Sequence, residues 1–177
     1  NRPSFYYRHY HSEHYWWDND DLDKEFKTRI SGEIHIPSWK TKLSAGVENI
    51  KNYTYIANNA VETTAGRFLA QESENIQVLT ATLKQDFTFG IFNINTDITY
   101  QHSSNKSVLP LPDLNLYANL FIKFKIAKVL NTELGADVRY FTKYYAPDYS
   151  PALGQFVQQN QADKVEIGDY PIASVYA

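Results

Sequence analysis

The stretch from Leu114 to Tyr145 constrains this chain most, because its apolar residues recur at every second position along two consecutive arms. Leu114, Leu116, Ala118, Leu120, Ile122 and Phe124 share one parity, with Asn115, Tyr117, Asn119, Phe121, Lys123 and Lys125 between them. The second arm sets Leu130, Thr132, Leu134, Ala136, Val138 and Tyr140 against Asn131, Glu133, Gly135, Asp137, Arg139 and Lys143. Successive side chains of a strand point to opposite faces, so a period of two makes strands with one apolar and one polar face. Only Ile126 to Val129 separates the arms, and so short a connection joins antiparallel neighbours.

The same alternation organises the rest of the chain. Asn1 to Trp17 is aromatic and β-prone and reads as a strand, followed by an acidic turn over Asp18 to Asp23. Clean alternation predicts strands over Phe26 to Ile36, about Thr41 to Tyr55, Ile76 to Phe89 and Phe92 to Gln101, then the two arms, Leu114 to Lys125 and Leu130 to Lys143. A last strand is expected over about Lys164 to Ala177, interrupted at Pro171. Polar or proline-containing connections cover Ala57 to Glu74, His102 to Asp113 and Tyr145 to Asp163, whereas Pro37, Gly90 and Ile126 mark tight turns. The expectation is an all-β, antiparallel up-and-down meander of about eight strands with no helix, forming one unit over residues 1–177.

Long and short connections alternate, which puts every short turn at one end of the sheet and every long loop at the other. Several strands exceed the usual five or six residues of soluble sheets and are long enough to cross a bilayer at a tilt. No apolar run reaches the roughly 18 residues a spanning helix needs, but a membrane barrel needs none, because its strands alternate. Aromatic residues make up 15% of the chain, and Trp16, Trp17, Tyr53, Tyr55, Tyr100, Tyr140, Tyr144 and Tyr145 stand near strand ends, where amphipathic rings suit a membrane surface. A soluble sandwich or lipocalin-like barrel would show the same alternation, with its apolar face as core. Loop asymmetry and strand length favour the membrane barrel.

Little points to chemistry. There is no cysteine, so thiol catalysis, thiolate metal sites and disulfides are excluded. The net charge of −3, mixed in sign, does not mark a nucleic-acid binder. His9 and His11 share a strand face but His14 falls on the other, and spacing supplies no carboxylate to complete a metal shell. The acidic run from Asp18 has Asp23 and Arg29 where an EF-hand loop needs Gly and Glu. Neither a nucleophile elbow nor a phosphate-binding glycine loop is present. No metal, cofactor or catalytic residue is expected, and the chain does not read as an enzyme.

The stretches YYRHYHSEHYWWDND, IQVLTATLKQDF, VLPLPDLNLYANLFIKFKIAKVLNTELGADVRYFTKYYAPDYSPALGQF and IGDYPIASVYA resemble the "Putative porin" family of Bacteroidetes. Val108 to Phe156 carries the most specific part, with the PLPDL entry and the YYAPDYSPALGQF loop together. The resemblance implies a barrel of the bacterial outer membrane, contacting its lipid and admitting small polar solutes by passive diffusion. The family's barrel is larger, so the chain is expected to be a C-terminal-region segment, incomplete at both ends. In such a barrel Lys27, Arg29, Glu33, Lys84, Asp86, Asp97, Lys123, Glu133, Asp137 and Arg139 would face the lumen. The alternatives are a non-transporting outer-membrane binding or structural barrel, and a soluble sandwich or lipocalin-like binding protein.

Overall fold

In the computed structural model, residues 2–58 and 67–177 are described. Seven strands form one antiparallel sheet: β1 (Phe26–Ile36), β2 (Thr41–Lys51), β3 (Ile76–Phe89), β4 (Phe92–Ser103), β5 (Leu114–Ile126), β6 (Leu130–Phe141) and β7 (Ile172–Tyr176). Each pairs with its neighbour in chain order, as in a meander, leaving β1 and β7 with one partner each among the described residues. The alternation dictates the register. Ile34, Leu43, Leu83, Ile98, Leu116 and Tyr140 form one continuous cross-strand row, and Ile30, Val47 and Leu79 form another. A slip of one residue anywhere would move a strand's apolar side chains to the other face.

Hairpin turns close one end. Pro37–Trp39 makes a 3-10 turn with Lys40 at φ 51°, Gly90 has φ 61°, and Ala127 and Lys128 have φ 50° and 61°. The opposite end carries the long connections, so the expected segregation of turns and loops is present. There, three small two-stranded sheets pair His9–His11 with Trp16–Asp18, Thr54–Asn58 with Arg67–Gln71, and Asp148–Ser150 with Gln155–Val157.

Local differences from the expected pattern have identifiable causes. The aromatic N-terminal segment is not one strand: Ser4 caps a helical turn over Phe5–Arg8, and a short hairpin follows. The strand expected to reach Tyr55 ends at Lys51, because Asn52 adopts φ 56° and turns the chain into the loop layer; Asn is enriched in that conformation. The last strand shortens to Ile172–Tyr176, after Gly168 and Asp169 at φ 108° and 65°. Of the polar segment expected over Ala57 to Glu74, residues 59–66 lie outside the described residues, as does Asn1.

The packed core is not under the sheet. Trp17, Ile56, Leu69, Leu153 and Val157 form one buried cluster, and Ile50, Ile76 and Val108 form another, with Tyr53, Tyr55 and Leu109 against it. The first lies among the long connections, and the second joins the loop end of β2 and β3 to them. Gln158 ties them together, its N–H donating to Ile56 O at 2.9 Å and its amide to Ser107 O at 2.9 Å. The wide apolar face of the sheet stays uncovered: Ile30 is 77% exposed, Leu120 52% and Leu43 47%.

Candidate functional site

The register places all ten charged candidates on the face opposite that apolar surface. Lys27, Arg29 and Glu33 lie on β1, Lys84 and Asp86 on β3, Asp97 on β4, Lys123 on β5, and Glu133, Asp137 and Arg139 on β6. They are organised mainly as local charge pairs. Lys84 pairs with Asp97 directly across β3 and β4, and Lys123 with Glu133 across β5 and β6 at 3.1 Å. Asp86 accepts from Asn95 at 2.6 Å, and Lys27 pairs with Glu25 at 2.9 Å. Arg139 lies 3.7 Å from Asp137, with its guanidinium over the Tyr117 ring, 5.6 Å from the centroid. Glu33 pairs with Lys42 of β2 at 3.0 Å, whereas Arg29 makes no ion pair among the described residues.

Three contributors to this face lie outside the ten candidates. Lys42 neutralises Glu33. Phe121, although on the polar parity, is buried at 9% exposure and carries the Lys123 ammonium 4.9 Å from its centroid. The Tyr176 hydroxyl from β7 lies 3.1 Å from Asn119 Oδ1 and 3.3 Å from Glu133 Oε1. Tyr117 and Phe121 were visible in the β5 alternation, but their pairing with β6 depends on register. A recess of about 660 Å³ opens on this part of the sheet, with Asp97, Thr99, Asn115, Tyr117 and Arg139 in its wall.

The long connections reach onto the same polar side. Ile50 and Ile76, directly opposed across β2 and β3, have the parity of Lys42 and Lys84 rather than that of Leu43 and Leu83. The buried cluster they start therefore sits over one end of the polar face. Burial pushes the Tyr53 hydroxyl pKa up, as it does that of Tyr55. Lys106 grips both oxygens of Asp113 at 2.7 Å and holds its carboxyl below the usual range.

The histidines do not gather as a triad. His9 instead meets Asp18 and Asp20, its Nε2 3.2 Å from Asp20 Oδ1, while His11 and His14 stand outside that group. Arg8 Nη1 lies 3.6 Å from the same Asp20 oxygen.

A family model described as "Putative porin" matches residues 1–177. The chain belongs to this porin family. No curated protein and no solved structure matches it. Membership gives this porin-family chain a porin-like role in general, and points to a non-enzymatic protein of an outer membrane. The all-β fold agrees, and no helix among the described residues is long and apolar enough to cross a membrane.

Proposed function

We propose that the sheet is part of the wall of a bacterial outer-membrane barrel, with the Leu43 and Leu83 face toward lipid and the Lys84 and Asp97 face lining an aqueous lumen for passive diffusion of small polar solutes. The observation that carries this reading is the uncovered apolar face, continuous over seven strands. In water so broad an apolar surface would drive association; in a bilayer it is the required surface. The six long strands have 11 to 14 residues, enough to span with tilt. Aromatic residues on the apolar parity also cluster toward both ends, Phe89, Phe92 and Phe124 near the short turns and Phe26, Tyr100 and Tyr140 near the long connections, consistent with interfacial girdles.

Backbone groups cannot face lipid unpaired, so β1 and β7 need further partners. Because seven strands alternate in direction, β1 and β7 run the same way and would pair with each other in parallel. An antiparallel closed wall therefore needs an odd number of additional strands. Residues 1–177 read as one barrel segment within that wall.

Planar bilayers reconstituted with the full-length protein test the pore. Stepwise ion current and swelling of protein-loaded liposomes in small sugars are expected; a protein that inserts but passes neither overturns the reading. The cluster of Ile50, Ile76 and Val108 over the polar side favours one rival, a barrel closed by its loops that binds without transporting. That rival predicts insertion without current.

A further inference from the structure

We propose that the cavity between the Arg8 turn and the Lys51 end of β2 is an anion-binding site for the phosphate or carboxylate group of a small solute or lipid. The cavity, about 550 Å³, brings together Arg2, Arg8, Lys24 and Lys51 against Asp20 and Asp23. Four cations against two carboxylates make a local positive excess on a chain whose net charge is −3. Asp20 is taken up by Arg8 at 3.6 Å and faces His9 at 3.2 Å, so the excess falls on Arg2, Lys24 and Lys51 against Asp23. Arg2, Lys24 and Lys51 have no ion-pair partner among the described residues.

Arg8 supplies the most direct indication. It lines the cavity and is three-quarters buried, with its Nη1 3.6 Å from Asp20 Oδ1, so its charge is held at the wall rather than free in solvent. Arginine and lysine donors together suit phosphate and carboxylate oxygens.

The backbone that carries these side chains is held in place. Gln71 accepts from the Asp23 N–H at 3.0 Å and donates to Asp23 O at 2.9 Å and Asn52 O at 3.1 Å. Asn52, in its left-handed conformation, donates to Lys24 O at 3.0 Å. One glutamine and one asparagine thus set the separation of the Lys24 and Lys51 backbones. The volume falls within the roughly 300–1,000 Å³ of small-molecule sites, so the anion would be one group of a larger ligand.

Isothermal titration of inorganic phosphate into the full-length protein, in phosphate-free maltoside micelles at low salt, tests the site. Saturable binding is expected, weakened tenfold or more by Lys24→Gln with Lys51→Gln and unchanged by Lys128→Gln at the opposite end of the sheet. Neither Lys24 nor Lys51 makes a side-chain hydrogen bond or ion pair among the described residues, so the double variant keeps the fold. Arg8→Gln is a second variant with the same expected loss. Absence of saturable heat, or equal affinity in the variants, overturns the proposal. Repeating the titration in micelles doped with phosphatidic acid distinguishes the sources. Competition by the lipid supports a headgroup occupant, and unaltered phosphate binding supports a soluble one. The outcome is independent of the pore, which ion current tests separately.

Discussion

Gly135 lies directly beneath Tyr176: a Cβ built on the glycine would sit 2.5 Å from the tyrosine hydroxyl and 2.8 Å from Phe121 Cβ. The two are register partners of β6 and β7, so the missing side chain lets the tyrosine fold across the sheet to Asn119 and Glu133. Gly135→Ala is expected to displace Tyr176 and strain Phe121, costing about 1–3 kcal/mol as overpacking does. Gly32→Ala, whose Cβ would meet nothing within 4 Å, should be neutral or slightly stabilising. Urea unfolding midpoints of the two variants in detergent provide the comparison.

The two faces of the sheet should respond oppositely to charge. Leu83 sits midway along β3 between Leu43 and Ile98 on the apolar surface. Leu83→Arg should cost about 2–4 kcal/mol of stability in lipid vesicles. Thr80→Arg, on the polar face of the same strand, should change stability by less than about 1 kcal/mol. Equal effects at the two positions would contradict the assignment of faces to lipid and water.

Ion selectivity should follow the acidic members of the charge pairs. Asp97→Asn with Glu133→Gln leaves Lys84 and Lys123 uncompensated. The reversal potential under a salt gradient is expected to move toward anion preference. Stability should fall by no more than about 1 kcal/mol per pair, because these ions are partly exposed.

The Lys106–Asp113 pair predicts a pH dependence. The Lys106 ammonium hydrogen bond holds the folded Asp113 carboxyl below its usual range, whereas in the unfolded chain it titrates at about 3.9. The depressed folded value means that the pair's stabilisation is complete above the unfolded pKa and is lost as pH falls through the folded one. The stability difference between wild type and Asp113→Asn should therefore be constant near neutrality and shrink below about pH 4. Urea midpoints taken at pH 7 and pH 3 measure it.

The β5–β6 turn stores backbone strain. Ala127 and Lys128 both have positive φ, which costs a non-glycine residue of the order of 1 kcal/mol. Lys128→Gly should relieve part of this, offset by the entropy of a freer unfolded chain, for a net gain of at most about 1 kcal/mol. A lowered urea midpoint would contradict this account.

Strand positions and faces were legible because a period of two leaves little freedom: β3 spans the residues expected from alternation alone, and the ten charged candidates share one face. The loop layer was not legible in the same way. Trp17 packs with Leu153 and Val157, and no local pattern announces contacts between segments so far apart. Asn52 did offer a local clue, since an asparagine after a run of strand residues is a common place for a left-handed turn. The cation-lined cavity was invisible for a different reason. Arg2, Arg8, Lys24 and Lys51 belong to three separated stretches, and only the folding back of the N-terminal turn brings them together.

The hydrogen bond from the Tyr6 hydroxyl to Leu153 O, 2.8 Å long, joins residues 147 positions apart. Closing so long a loop costs chain entropy before the contact rewards it, which slows folding. Tyr6 and Tyr10 cover part of Trp17 locally, but the side that meets Leu153 and Val157 is covered only when that long loop has closed. Until it closes, that side of the N-terminal aromatic segment is open to other apolar surfaces, and a holding chaperone bound there would delay closure of the loops.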